Sequence, residues 1–199
     1  MRILLVHPPY RCITSDKGVG HQTPLGLLSI GGPLIDAGHA VALHDAEMLH
    51  STDAELAQAL RDFAPDVVMT GHAGSTPAHA SSLRVMQIAR QVDPRILTVY
   101  GGVYPTYHDQ DILHDHACVD IVVRGEGEAV ALALAQALQP VLAAPAPGGP
   151  QADWRHAVRA VAGISYRGCA EAPDAAPLVR NPDAPLMRQL DDWRVGWEL

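Results

Sequence analysis

The chain has 199 residues, 48% of them hydrophobic, with 14 Lys and Arg against 22 Asp and Glu, a net charge of −8. That length and apolar content give one well-cored domain plus an appendage and exclude a disordered chain. The acidic balance and the lack of any basic run exclude a nucleic-acid surface, because phosphate binding needs clustered Lys and Arg.

Arg2–Val6 is a short apolar run stopped by His7-Pro8-Pro9, and it reads as a buried strand that proline cannot continue. After the polar stretch Tyr10–Gln22, Thr23-Pro24 opens a helix, with Thr23 as N-cap and Pro24 at the first helical position. Leu25, Leu28, Ile30, Leu34 and Ile35 supply its apolar side, and the interior Gly31-Gly32-Pro33 implies close packing or a kink. Ala40–Leu43 is a second strand ending at His44-Asp45, and Ser51–Phe63 an amphipathic helix. Val67–Thr70 is a third strand, followed by G-H-A-G-S-T-P and a helix over His79–Val92. Ile96–Tyr100 is a fourth strand ending in Gly101-Gly102, with a short helix near Asp109–His114. Val119–Val123 is a fifth strand, then R-G-E-G-E and a helix over Glu128–Leu138.

Strands alternating with helices at this spacing predict an α/β fold: a five-stranded parallel, doubly wound sheet, flavodoxin- or Rossmann-like. Residues 1–140 form that unit. Residues 141–162 are Ala-, Pro- and Gly-rich and read as a linker or loop. Residues 163–199 hold a small hairpin, Gly163–Arg167 with Leu178–Arg180, and an irregular tail bearing Trp193 and Trp197. A tail with two such side chains and no stop signal reads as a cut, with more protein expected beyond it.

In doubly wound sheets ligands bind beyond the carboxyl ends of the strands. The loops carrying Pro8-Pro9, Gly74-Ser75-Thr76, Gly101-Gly102 and Gly125-Glu126 all fall there, and His44-Asp45 and His72 sit at strand ends nearby. Gly101-Gly102 reads either as a turn or as backbone left bare for a close approach. Ser75 and Thr76 offer hydroxyls for a ligand or for capping the next helix. Arg124–Glu128 lacks the Lys-Ser/Thr of a phosphate loop and the GxGxxG of a dinucleotide binder. Its two carboxylates suit a helix N-terminus and a neutral ligand rim better than a pyrophosphate.

The eleven histidines are scattered, and those near His108, His114 and His116 with Asp109, Asp111 and Asp115 read as surface residues rather than a metal centre. No GxSxG elbow or other catalytic set appears. Three separated cysteines, Cys12, Cys118 and Cys169, make no CxxC pair or disulfide framework and point to a reducing cytoplasm. No run is long enough to span a membrane, and the apolar start is too short for a signal peptide.

The ordered set of strand-H-P-P, T-P-L-G-L, strand-G-G-x-x-P-T and strand-R-G-E-G-E resembles the N-terminal cobalamin-binding domain of cobalamin-dependent radical S-adenosylmethionine enzymes. The resemblance covers about residues 1–138, and 163–192 looks like the connector that precedes the radical barrel. The nearest group in character holds the anaerobic magnesium-protoporphyrin monomethyl ester cyclases and various methyltransferases. The resemblance implies a corrin across the strand ends, with its nucleotide tail running into the sheet edge. Gly101 and Gly102, with Val103 and Tyr104 after them, match the diglycine stretch that makes room for the tail. Gly74, Ser75 and Thr76 match the loop that meets the tail's base, beside His72. Gly125 and Glu126 match the rim, Thr23 and Leu25 the first helix, and Tyr10 and Arg11 the loop facing the cobalt's lower side.

Two departures from the family pattern stand out. No D-x-H-x-x-G follows the first strand, which implies base-off cobalamin without that histidine on cobalt. No C-x-x-x-C-x-x-C is present, so an iron–sulfur cluster and S-adenosylmethionine would belong to a missing barrel, in cis or as a partner in trans. The expected function is therefore a cobalamin-binding module, not catalytic alone, serving methyl transfer or anaerobic tetrapyrrole ring closure. The rival expectations are a stand-alone cobalamin- or tetrapyrrole-sensing regulator acting through a protein partner, and a plain nucleotide-binding domain without the phosphate fingerprint.

Overall fold

The computed structural model describes residues 1–9, 22–72, 77–142, 153–169 and 176–199. In chain order the elements are β1 (Arg2–His7), α1 (Leu25–Asp36), β2 (Ala40–Asp45), α2 (Asp53–Phe63), β3 (Val67–His72), α3 (Pro77–Val92) and β4 (Leu97–Gly102). Then follow α4 (Val103–Tyr107), α5 (Asp109–Asp115), β5 (Ile121–Val123), α6 (Gly127–Leu142), β6 (Ile164–Arg167) and β7 (Leu178–Arg180). A 3₁₀ turn, Leu190–Asp192, lies near the end.

The strands form one seven-stranded sheet in the order β2-β1-β3-β4-β5-β6-β7. The first five are parallel, as the alternating strand and helix pattern predicts. The hairpin is not a separate appendage: β6 pairs antiparallel with β5, and β7 with β6. The order reverses between β1 and β3, and that switch point is where a doubly wound sheet leaves a crevice.

Alternation along each strand divides the core between two faces. Ile3, Leu5, Met69 and Val99 face α1 and α6, where they meet Leu34, Leu134 and Leu138. Leu4, Val6 and Val68 face α2 and α3, where they meet Leu56, Leu60 and Ile88. Tyr100 and Val122 continue the second face against α3 and α5. Of the stretch read as a linker, residues 143–152 lie outside the described residues. Trp154, Val158 and Val161 from its remainder are buried in the α1/α6 core.

The starts of α2 and α1 are built differently. Thr52 caps α2 in a capping box, its hydroxyl accepting from the Glu55 N–H while the Glu55 carboxylate accepts from the Thr52 N–H. Thr23 does not cap α1. The N-cap is Pro24, whose carbonyl accepts from the Leu27 and Leu28 N–H groups, and no side chain caps this end. A proline carbonyl serves as well as any other, so the helix starts one residue later than Thr23 suggests.

Close packing explains Gly31-Gly32. A Cβ on Gly32 would overlap the Arg194 carbonyl, and one on Gly31 would overlap the Leu199 side chain. The C-terminal segment therefore lies directly on α1, held by Gly196 N–H donating to Leu28 O at 2.9 Å and by Arg194 bridging Asp36 and Glu198, each at 2.7 Å.

The hairpin is fastened by three arginines, of which Arg124 is buried. Arg124, at the end of β5, has a side chain only 3% exposed. It donates to the Ile164 and Asn181 carbonyls and pairs with Asp183, and its Nε lies 3.7 Å from the buried Asp109. Arg180 of β7 completes the charge balance at Asp109, 2.8 Å away. Arg167 of β6 donates to the carbonyls of Leu113, His116 and Val119 around the end of α5.

Two outcomes follow from this packing. Arg124→Met leaves Asp109 with less compensation in a buried site, and urea unfolding should report a loss of about 3 kcal/mol. Gly32→Ala would raise the stability of an ordinary helix by about 1 kcal/mol. Here it should instead release the C-terminal segment, read as faster proteolysis near Arg194 and a red shift of tryptophan emission.

Candidate functional site

A cavity of about 390 Å³ opens at the carboxyl ends of β1, β3, β4 and β5, between the sheet and the starting turns of α1 and α6. Its size lies within the range of small-molecule sites. The buried floor comes from Met69, Val99 and Val123 on the sheet and from Leu27 and Ala131 on the helices. Thr23, Leu25 and Gly26 form the α1 side of the mouth, and Glu126, Gly127 and Glu128 the α6 side. Met187, from the C-terminal segment, closes one flank.

The room above the floor comes from glycine. Met69 and Gly71 share one face of β3, as Val99 and Gly101 share one face of β4, and the two glycines are paired in register. Side chains thus fill the lower rung and are missing from the upper one. The three glycines differ in their reasons. A Cβ on Gly71 would come 2.5 Å from the Gly101 carbonyl oxygen, so the strands' close approach requires glycine there. Gly102 has φ +111°, and a Cβ there would come 2.7 Å from the His72 carbonyl. At Gly101 a Cβ would meet Val123 at ordinary contact distances, its Cβ at 3.7 Å and its carbonyl oxygen at 4.0 Å. Gly101 is therefore the position where the missing side chain makes space rather than relieving the backbone.

Polar groups around the mouth are tied together. Thr106 donates to the Gly102 carbonyl at 2.7 Å and accepts from the Gly125 N–H at 3.0 Å, joining the glycine loops after β4 and β5. The Glu126 carboxylate accepts from the Met187 N–H and holds the C-terminal segment against the rim. His7 is buried at the end of β1, with Nδ1 2.9 Å from Asp45 Oδ1 and its ring stacked on His72 at 5.3 Å.

Thr23, Leu25, His72, Gly101, Gly102, Val103, Gly125 and Glu126 all line this one cavity, although they come from four separate stretches of sequence. Tyr104 does not. It points to the opposite face, packed against His79 at 4.5 Å and stacked on His108 at 4.4 Å. In that cluster burial, with His116 and His108 close by, pushes the His79 pKa down, and burial pushes the Tyr100 hydroxyl up to about 12. Tyr10, Arg11, Gly74, Ser75 and Thr76 lie outside the described residues. The floor residues Met69 and Val99, the bridging Thr106 and the flanking Met187 are absent from the sequence-based set. Period-two alternation back from the glycines would have found the first two. Among the described residues one group brings three metal-ligand atoms within 4.8 Å, Asp153, His156 and Cys169; all three are exposed and none lines the cavity. No helix among the described residues is long and apolar enough to cross a membrane.

Comparison with known proteins agrees with this geometry. The chain is 40% identical, over its full length, to the anaerobic magnesium-protoporphyrin IX monomethyl ester cyclase of Synechocystis, covering 36% of that protein. It is 30% identical over its full length to the cyclase of the same name from Rubrivivax gelatinosus, covering 33%. The chain thus spans about a third of the length of these relatives. Its fold matches the cobalamin-dependent S-adenosylmethionine radical enzyme OxsB, solved with aqua-cobalamin and S-adenosylmethionine bound, with a TM-score of 0.65 at 14% identity, over 93% of this chain and 22% of that one. Residues 13–135 match the B12 binding domain, well over half of the sequence. The chain belongs to the B12-binding domain family.

Proposed function

We propose that this chain holds cobalamin at the carboxyl ends of its parallel strands and presents it to a radical barrel of the same polypeptide. The observation that carries the reading is the Gly71–Gly101 shelf above an apolar floor, a space that side chains on the upper rung would close. The residues fit such a group. The cavity is large enough for a planar heterocycle, the mouth is wide, and Leu25 and Val103 leave exposed apolar surface beside it. Thr23, Leu25, His72, Gly101, Gly102, Val103, Gly125 and Glu126 would hold the cofactor, with Tyr10, Arg11, Gly74, Ser75 and Thr76 contributing from the neighbouring loops. Tyr104 would act only through its packing behind α4.

Bound cobalamin supplies organometallic chemistry to the parent enzyme. The chain's own residues bind and orient it and shield its tail from water. An iron–sulfur cluster and S-adenosylmethionine belong to the barrel, because this chain has no C-x-x-x-C-x-x-C. The full-length identity to two cyclases favours anaerobic closure of a tetrapyrrole ring as the parent reaction, with methyl transfer the other assignment.

The cofactor is proposed to bind base-off, with no histidine of this chain on cobalt. The D-x-H-x-x-G pattern is absent, and His7, the buried histidine of the cavity, is engaged with Asp45 and stacked on His72.

Hydroxocobalamin titrated into the purified chain should bind with a Kd of about 10 μM or tighter, followed by absorbance and calorimetry. No saturable binding at that level overturns the reading. Gly101→Leu should weaken binding at least about tenfold while leaving the urea midpoint close to that of the parent chain, since its Cβ comes no nearer than 3.7 Å to any neighbour. The electron paramagnetic resonance spectrum of the bound cob(II)alamin should lack nitrogen splitting from an axial ligand; a nitrogen-split spectrum would refute the base-off assignment.

A further inference from the structure

The mouth and the floor of the cavity differ in chemistry. The mouth carries Thr23, His72, Glu126 and Glu128 together with exposed loop backbone. The floor is formed by Leu27, Ile30, Met69, Val99, Val123 and Ala131, without a polar side chain among them. The hydrogen-bond donors beside the floor are already used. The Thr70 hydroxyl donates to the Val6 carbonyl at 2.9 Å, and the backbones of Met69 and Val99 lie within the parallel ladder. His7 lies two residues beyond Leu5, the register partner of Met69, and is paired with and bonded to Asp45. A flat ring system entering the floor finds shape and apolar contact there, with the Thr70 oxygen as a side-chain acceptor beside it but no free side-chain donor on the floor.

We infer that the site discriminates among corrinoids by the polarity of their lower base. It favours a benzimidazole carrying methyl groups over a purine such as adenine. The inference rests on the reading that the cofactor's tail base, released from cobalt, enters this cavity. Size does not separate the two bases, since both are fused bicyclic rings. Polarity does. Adenine adds an exocyclic amine and further ring nitrogens, and burying ring nitrogens that meet no donor costs free energy that methyl groups do not. Apolar pockets discriminate against a polar near-isostere by one to two orders of magnitude rather than absolutely. The preference is thus one of affinity, set by the side chains at positions 69, 99 and 123 on the sheet and 27, 30 and 131 on the helices.

The test compares three ligands on the same chain by absorbance titration: cobalamin, its analogue with adenine as lower base, and cobinamide, which has no nucleotide tail. Cobalamin should bind at least about tenfold more tightly than the adenine analogue, and more tightly than cobinamide. Val99→Thr, a change of similar shape that puts a hydroxyl on the floor, should narrow the gap between the two bases. Its urea midpoint reports whether the fold has survived. Equal affinity for cobalamin and the adenine analogue, with cobinamide weaker, overturns the inference while leaving cobalamin binding intact. Cobinamide binding as tightly as cobalamin shows that the base lies elsewhere and overturns it as well. Failure of all three ligands to bind overturns the functional reading itself.

Discussion

A charge at the end of a three-residue strand ties the two parts of the molecule together. Arg124 follows Val123 on β5, and its guanidinium is buried among the carbonyls of the hairpin and the carboxylate of Asp109. Burying such a charge is costly unless it is paired, and here Nη1 and Nη2 bond to groups of β6 and the segment after β7, while Nε, without a hydrogen bond of its own, lies 3.7 Å from Asp109 of α5. Once these are in place, the next residue, Gly125, is fixed where its N–H reaches Thr106. The interaction that docks the hairpin therefore also sets the position of one lip of the cavity.

The other lip is set by what is missing. β3 and β4 stay paired to their last residues, and this pairing brings the Gly101 carbonyl into the space a side chain at 71 would need. Gly102 then turns with positive φ into α4, which a residue bearing Cβ would adopt only with strain. Thr106, one turn later, returns a hydrogen bond to the Gly102 carbonyl. Backbone fit at Gly71 and Gly102 and open space at Gly101 are thus separate consequences of one strand-end geometry. The V-Y-G-G-V-Y-P-T stretch carries nearly all of it: an apolar floor residue, two glycines and the threonine that joins the loops.

The strand–helix alternation was readable because each strand is an apolar run ended by Gly, Pro or a polar pair, and each helix shows apolar spacing. The convergence of Thr23, Gly101, Gly125 and Glu126 was readable because parallel topology places those loops together whatever their separation in sequence. The strand ends were harder to see. Gly71-His72 and Gly101-Gly102 look like loop residues by propensity, yet they continue the ladder because each pairs with the other. The merging of the hairpin into the main sheet was hidden for a related reason. It depends on Arg124 and Arg167 reaching carbonyls about 40 to 55 residues away, and no local pattern announces such a contact. Adjacency to the glycines suggests Tyr104 for the cavity, but α4 begins at Val103 and turns that ring toward His79 on the other face.

A site built this way makes loose demands on sequence. The floor needs apolar side chains at alternate positions, the shelf needs glycine at two or three positions, and the rim needs backbone N–H groups and a helix start. Many sequences meet these conditions, which is how the same fold persists at 14% identity to OxsB. The constraint on identity falls instead where packing is exact in volume, as at Gly32 beneath the Arg194 carbonyl and at Asp109 between Arg124 and Arg180. Those positions stabilise the frame without touching the cavity. The side chains that shape the group entering the cavity are the few on its floor, where size can change within the apolar requirement while Gly71 and Gly102 are held by the backbone.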